Sequence, residues 1–84
     1  MDKERAVKHT TLIEREDDLL SQIDTCQQVL AAMLRFLQPS GEQVHLPTIH
    51  RLMLALRTVE RDIDDELLDV RLELSLLLDI KSAP

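Results

Sequence analysis

Apolar residues that step alternately by four and three positions constrain this chain more than any other feature: Leu19, Ile23, Cys26, Leu30, Met33 and Leu37. Such steps average about 3.5 residues, the period that keeps one stripe of an α-helix against a partner helix. The stripe runs into Pro39-Ser40-Gly41. Proline disfavours helical geometry in the residue before it and has no amide hydrogen to donate, so the first helix should end at Leu37 or Gln38. A second stripe then follows: Ile49, Leu52, Leu56, Val59, Ile63, Leu67, Val70, Leu74 and Leu77. The pattern predicts an all-α fold, an antiparallel helical hairpin over about 11–38 and 47–79, with these two stripes as its packing seam.

Local signals place the helix ends. Thr11 followed by Glu14 matches a capping box, in which the hydroxyl accepts an orphan amide and the carboxylate reaches back. Helix one should therefore start near Leu12, leaving residues 1–10 as a frayed polar segment. Pro47 suits the first turn of helix two, where its missing N–H costs nothing. The hairpin domain is then 11–80, followed by a short tail, 81–84. The run Val70-Arg71-Leu72-Glu73-Leu74-Ser75-Leu76 alternates as a strand would, but Leu and Glu are helix formers and a single strand would have no partner.

Composition narrows the possible functions. A chain of 84 residues can build one small core, and a 44% apolar content argues against disorder. The sole aromatic residue is Phe36, so aliphatic side chains must fill that core, which suits helix packing. A net charge of −6 weighs against nucleic acid as the main partner, because phosphate binding draws on concentrated Lys and Arg. There is no long uncharged stretch to span a membrane. The opening Met1-Asp2-Lys3-Glu4-Arg5 lacks the apolar core of a signal peptide, and the single Cys26 offers no disulfide framework. A reducing cytoplasm is the expected location.

The chemistry-bearing residues do not converge. His45 and His50 sit near Glu42, and His9 lies far from them in sequence, which falls short of three or four closely spaced metal ligands. Cys26 lies within the apolar stripe, where it acts as a small hydrophobe. There is no nucleophile–base pairing and no Gly-rich phosphate loop. The expectation is a protein without catalytic activity, metal or cofactor.

More apolar surface is present than two helices can hide. A second stripe, Leu68, Leu72, Leu76 and Ile80, sits beside the seam on helix two; outside the seam helix one adds Leu20, Val29, Leu34 and Phe36, and helix two adds Met53, Leu54, Leu68, Leu72, Leu76 and Leu78. Leaving six such side chains in water would forgo on the order of 10 kcal/mol, at about 1.5–3 kcal/mol each. Pairing two hairpins into a homodimeric four-helix bundle would cover them. The acidic residues Glu60, Asp62, Asp64, Asp65, Glu66, Asp69 and Glu73 read as a solvated face, partly paired by Arg61 and Asp65 at i,i+4. They also read as a docking surface for a basic partner. The expected dimer or partner surface is accordingly Phe36, Met53, Leu68, Leu72 and Leu76, with Glu60, Asp64 and Asp65.

Between Leu30 and Leu76 the chain resembles the YmgB/AriR family of small regulators of biofilm formation and acid resistance. The resemblance lies in Leu30 and Leu37 leading into Ser40-Gly41-Glu42, then Val44, Ile49, Leu52-Met53 and Leu56. It continues through Ile63, Leu67-Leu68, Leu72-Glu73-Leu74 and Leu76. Gln28-Val29-Leu30 with Met33-Leu34-Arg35 also looks like a sibling among these connector proteins. Pro39, Pro47 and the acidic middle of helix two depart from the pattern. The resemblance implies an all-helical cytoplasmic dimer connecting a bacterial phosphorelay, notably the Rcs system. Direct DNA binding is associated with the family, but the charge of this chain makes it unfavourable. Within helix one, Gln22-Ile23-Asp24 and Ala32-Met33-Leu34-Arg35 are similar to the anti-adapter that protects the stationary-phase sigma factor. The expected function is thus a non-enzymatic helical regulator that binds a signalling or regulatory protein. An anti-adapter-like or secretion-chaperone-like helical binding protein is the alternative.

Overall fold

The computed structural model of the chain describes the backbone of residues 2–40 and 42–82 and the side chains of residues 3–38 and 42–78. Two helices, α1 (Asp2–Ser40) and α2 (Leu46–Ser82), pack antiparallel as a hairpin. The result is a rod of 63 × 17 × 15 Å with a radius of gyration of 19.0 Å. A globular chain of this length would have a radius of gyration of about 12 Å.

Helix α1 begins well before the Thr11 capping box and includes most of the segment expected to lie outside it. Glu4 puts negative charge near the helix start, where the aligned peptide dipoles favour it, and Lys3, Ala6 and Lys8 are compatible with helix. At the other end α1 continues through Pro39 to Ser40, two residues beyond the expected stop. A proline in the last turn forfeits a single backbone hydrogen bond, so the helix reaches it before ending. Gly41, the third residue of the expected break, lies outside the described residues, as do Ala83 and Pro84 of the tail.

His45 caps the start of α2. Its carbonyl accepts from the amides of Thr48 and Ile49 at 3.0 and 3.2 Å, and its Nδ1 lies 2.7 Å from Thr48 Oγ1. These bonds satisfy orphan groups of the first turn, and Pro47 sits where no amide bond is needed. Beyond the cap, α2 continues unbroken through the strand-like alternation at Val70–Leu76. The side chain of Ile80 falls outside those described.

The seam keeps one phase along each helix. On α1 the least exposed positions are Arg5, Leu12, Glu16, Leu19, Ile23, Cys26, Leu30, Met33 and Leu37, with Gln22 beside them. On α2 they are Ile49, Met53, Leu56, Glu60, Ile63, Leu67, Val70, Leu74 and Leu77. Leu12, Leu19, Cys26, Leu67 and Leu74 are buried, Leu19 completely.

This corrects the expected stripe at two positions. Leu52 and Val59, expected in the seam, are 52% and 50% exposed, while Met53 and Glu60 turn inward. A stripe through Leu52, Leu56, Val59, Ile63 and Leu67 contains two consecutive steps of four and would wander around the helix. Met53 and Glu60 instead preserve strict 4-and-3 alternation from Ile49 to Leu77. The cost is a half-buried glutamate in the seam.

That arrangement makes Glu60→Leu a stabilising substitution. We expect chemical denaturation to show a gain of about 1–2 kcal/mol. No gain would return the seam to the Leu52–Val59 phase.

Candidate interaction surface

Two helices in contact close one stripe on each and leave the rest of both circumferences outside. Two cross-helix ion pairs show how the outer stripes are arranged. Arg15 Nη2 lies 2.5 Å from Glu66 Oε2, and Arg71 Nε donates to Glu16 Oε2 at 3.0 Å. Arg15 also contacts Asp18 Oδ2 at 3.1 Å. The side chains of Arg15, Asp18, Glu66 and Arg71 are about half exposed, so each pair contributes at most about 1 kcal/mol. Their importance is geometric. Arg15 and Glu66 reach toward each other from one side of level and Glu16 and Arg71 from the other, so between the two pairs a residue of α1 sits opposite the α2 residue whose number is close to 84 minus its own.

Seven-residue spacing extends these pairs into edges. Arg15, Gln22, Val29 and Phe36 form one edge of α1, and Leu52, Val59, Glu66 and Glu73 form the same-side edge of α2. This edge is polar in the half near the chain ends and apolar in the half near the connection. Its apolar half consists of Val29, Phe36, Leu52 and Val59, each 45–52% exposed. The opposite edge differs, because α1 supplies Ile13, Leu20, Gln27 and Leu34 while α2 supplies His50, Arg57, Asp64 and Arg71, with Leu78 only at its far end near the chain termini. Farther round α2, Leu68, Leu72 and Leu76 occupy the outer face among exposed Asp65 and Asp69.

The expected surface residues therefore do not form a single patch. Phe36 belongs to the apolar edge, Leu68, Leu72 and Leu76 to the outer face of α2, and Met53 and Glu60 to the seam. Asp64 and Asp65 are exposed on different faces. Phe36 is joined on its edge by Val29, Leu52 and Val59. The signal that finds these three is their spacing from Arg15, Gln22, Glu66 and Glu73. Among the described residues, the ion pairs involve Arg15 and Arg71 rather than Arg61.

The whole chain exposes 6777 Å². A folded monomer of 9.7 kDa exposes about 5,100 Å². The difference, about 1,700 Å², exceeds the roughly 800 Å² that each partner buries in a standard protein–protein interface. An extended hairpin with this much exposed apolar surface has the character of a partner or oligomer interface.

Several other polar residues have local partners. His45 caps α2, Gln22 donates to Asp18 at 2.7 Å, and Gln28 donates to Asp24 at 2.6 Å. The hydroxyls of Thr25 and Thr58 return to the carbonyls of Ser21 and Leu54. A shallow groove lies along α1 between Thr25 and Arg35, lined also by Gln28, Val29, Ala31 and Ala32. Among the described residues, no group of three or more His, Cys, Asp or Glu is placed to hold a metal ion, and no helix is long and apolar enough to cross a membrane. Comparison with protein-family models, curated proteins and solved structures finds no match to this chain.

Proposed function

We propose that this chain is a non-enzymatic regulatory protein that acts by binding other protein chains along its exposed helical faces. The observation that supports the reading is the balance of its apolar side chains. Five are buried in the seam, whereas fourteen large ones are exposed among the described residues. Exposed apolar surface on this scale marks association sites rather than solvent-facing surface. In this reading two copies pair into a four-helix bundle, and the outer face of α2 is left for a regulatory or signalling partner. Leu68, Leu72 and Leu76 would supply anchors for that partner, while Asp65 and Asp69 would orient a basic helix against them. A connector of a bacterial phosphorelay, the role implied by the YmgB/AriR resemblance, would work in this way in the cytoplasm.

The test is affinity capture from the native host with the wild type and Leu72→Glu in parallel. Leu72 is exposed, so the substitution should leave helix content unchanged. We expect a partner retained by the wild type to be recovered at least tenfold less with the variant. Equal recovery, or no retained protein, would overturn the reading.

A further inference from the structure

We infer that the second copy of this chain docks on the Val29–Phe36–Leu52–Val59 edge, with both connections at the same end of the bundle and the twofold axis along the rod. The inference rests on the proposed homodimer and specifies its interface.

The register of the cross-helix ion pairs sets the order of residues along this edge. From the middle of the rod toward the connection they run Val59, Val29, Leu52 and Phe36, an apolar stretch of about 17 Å. Toward the chain ends, Arg15 lies between the levels of Glu73 and Glu66. A twofold axis along the rod sets α1 of one copy against α2 of the other without changing those levels. Val29 and Phe36 then meet Leu52 and Val59 of the second copy, and Arg15 meets its Glu66 and Glu73. Apolar surface faces apolar surface, and opposite charges face each other.

Neither alternative achieves this match. Running the two hairpins in opposite directions over their full length sets the apolar half of the edge against the charged half. Sliding them until only the apolar halves overlap covers about half of the 63 Å rod and leaves much of the surplus area exposed. On the opposite edge, the same twofold would place Ile13, Leu20 and Leu34 against Arg71, Asp64 and His50. The edge carrying Val29 and Val59 is the self-complementary one.

The experiment combines sedimentation with a distance measurement. Val59 and Leu72 are both about half exposed in the hairpin, so neither Val59→Glu nor Leu72→Glu disturbs its seam. We expect Val59→Glu to weaken self-association by roughly 100-fold or more, because each interface would bury two unpaired carboxylates. Leu72→Glu should self-associate as the wild type does. Spin labels at Gln43→Cys, in a Cys26→Ser background, should lie within about 30 Å of each other, the scale of neighbouring helices in one bundle. A dimer unaffected by Val59→Glu but dissociated by Leu72→Glu would overturn the edge assignment. Labels separated by most of the 63 Å length would overturn the direction. Either result would leave the homodimer standing. A wild type that sediments as a monomer would overturn both the inference and the dimer on which it rests.

Discussion

Leu19→Asp is expected to unfold the hairpin at room temperature. Among the described residues Leu19 is the one large side chain with no exposed surface, and it lies in the α1 stripe between Glu16 and Ile23. Truncating a buried leucine costs about 3–5 kcal/mol, and placing a carboxylate there adds a desolvation penalty. A domain of this size has roughly 4–13 kcal/mol of total stability. Long helices hold their shape through packing more than through intrinsic propensity, so loss of the seam should also cost most of the helical circular dichroism. The control is Asp65→Ala, an exposed position expected to change stability by no more than about 0.5 kcal/mol. If Leu19→Asp retained wild-type helicity and melting behaviour, the seam would not hold the fold together.

The hairpin itself can be read from sequence because both helices carry a long apolar repeat and the prolines stand between them. Positions that depend on comparing the two helices are harder to read. At Leu52 and Val59, local hydrophobicity favours the seam. Its actual course follows a constant phase set by Leu67, Val70 and Leu74, which brings Met53 and Glu60 inward. Leu12 and Glu16 extend the seam on α1; the Thr11–Glu14 capping signal puts the expected helix start at Leu12, and a charged Glu16 does not read as part of an apolar stripe. Glu4 near the helix start and the helix-compatible Lys3, Ala6 and Lys8 allow the helix to begin earlier. The surface is legible only in part. Surplus apolar residues can be counted directly, whereas the grouping of Val29 and Phe36 with Leu52 and Val59 depends on the Arg15–Glu66 pair across 51 positions of sequence.

The hairpin as half of an assembly is the central claim, and it predicts that folding and association are coupled. A rod with five buried apolar side chains among the described residues and about 1,700 Å² of surplus surface would gain its remaining burial from a second copy. Because association stabilises only the folded form, the melting temperature should rise with protein concentration. Sedimentation equilibrium on the wild-type chain at micromolar concentration tests this most directly. The predicted mass is twice the 9.7 kDa of one chain, with dissociation only on dilution. A single species of 9.7 kDa that stays folded, with a melting temperature independent of concentration, would contradict the account.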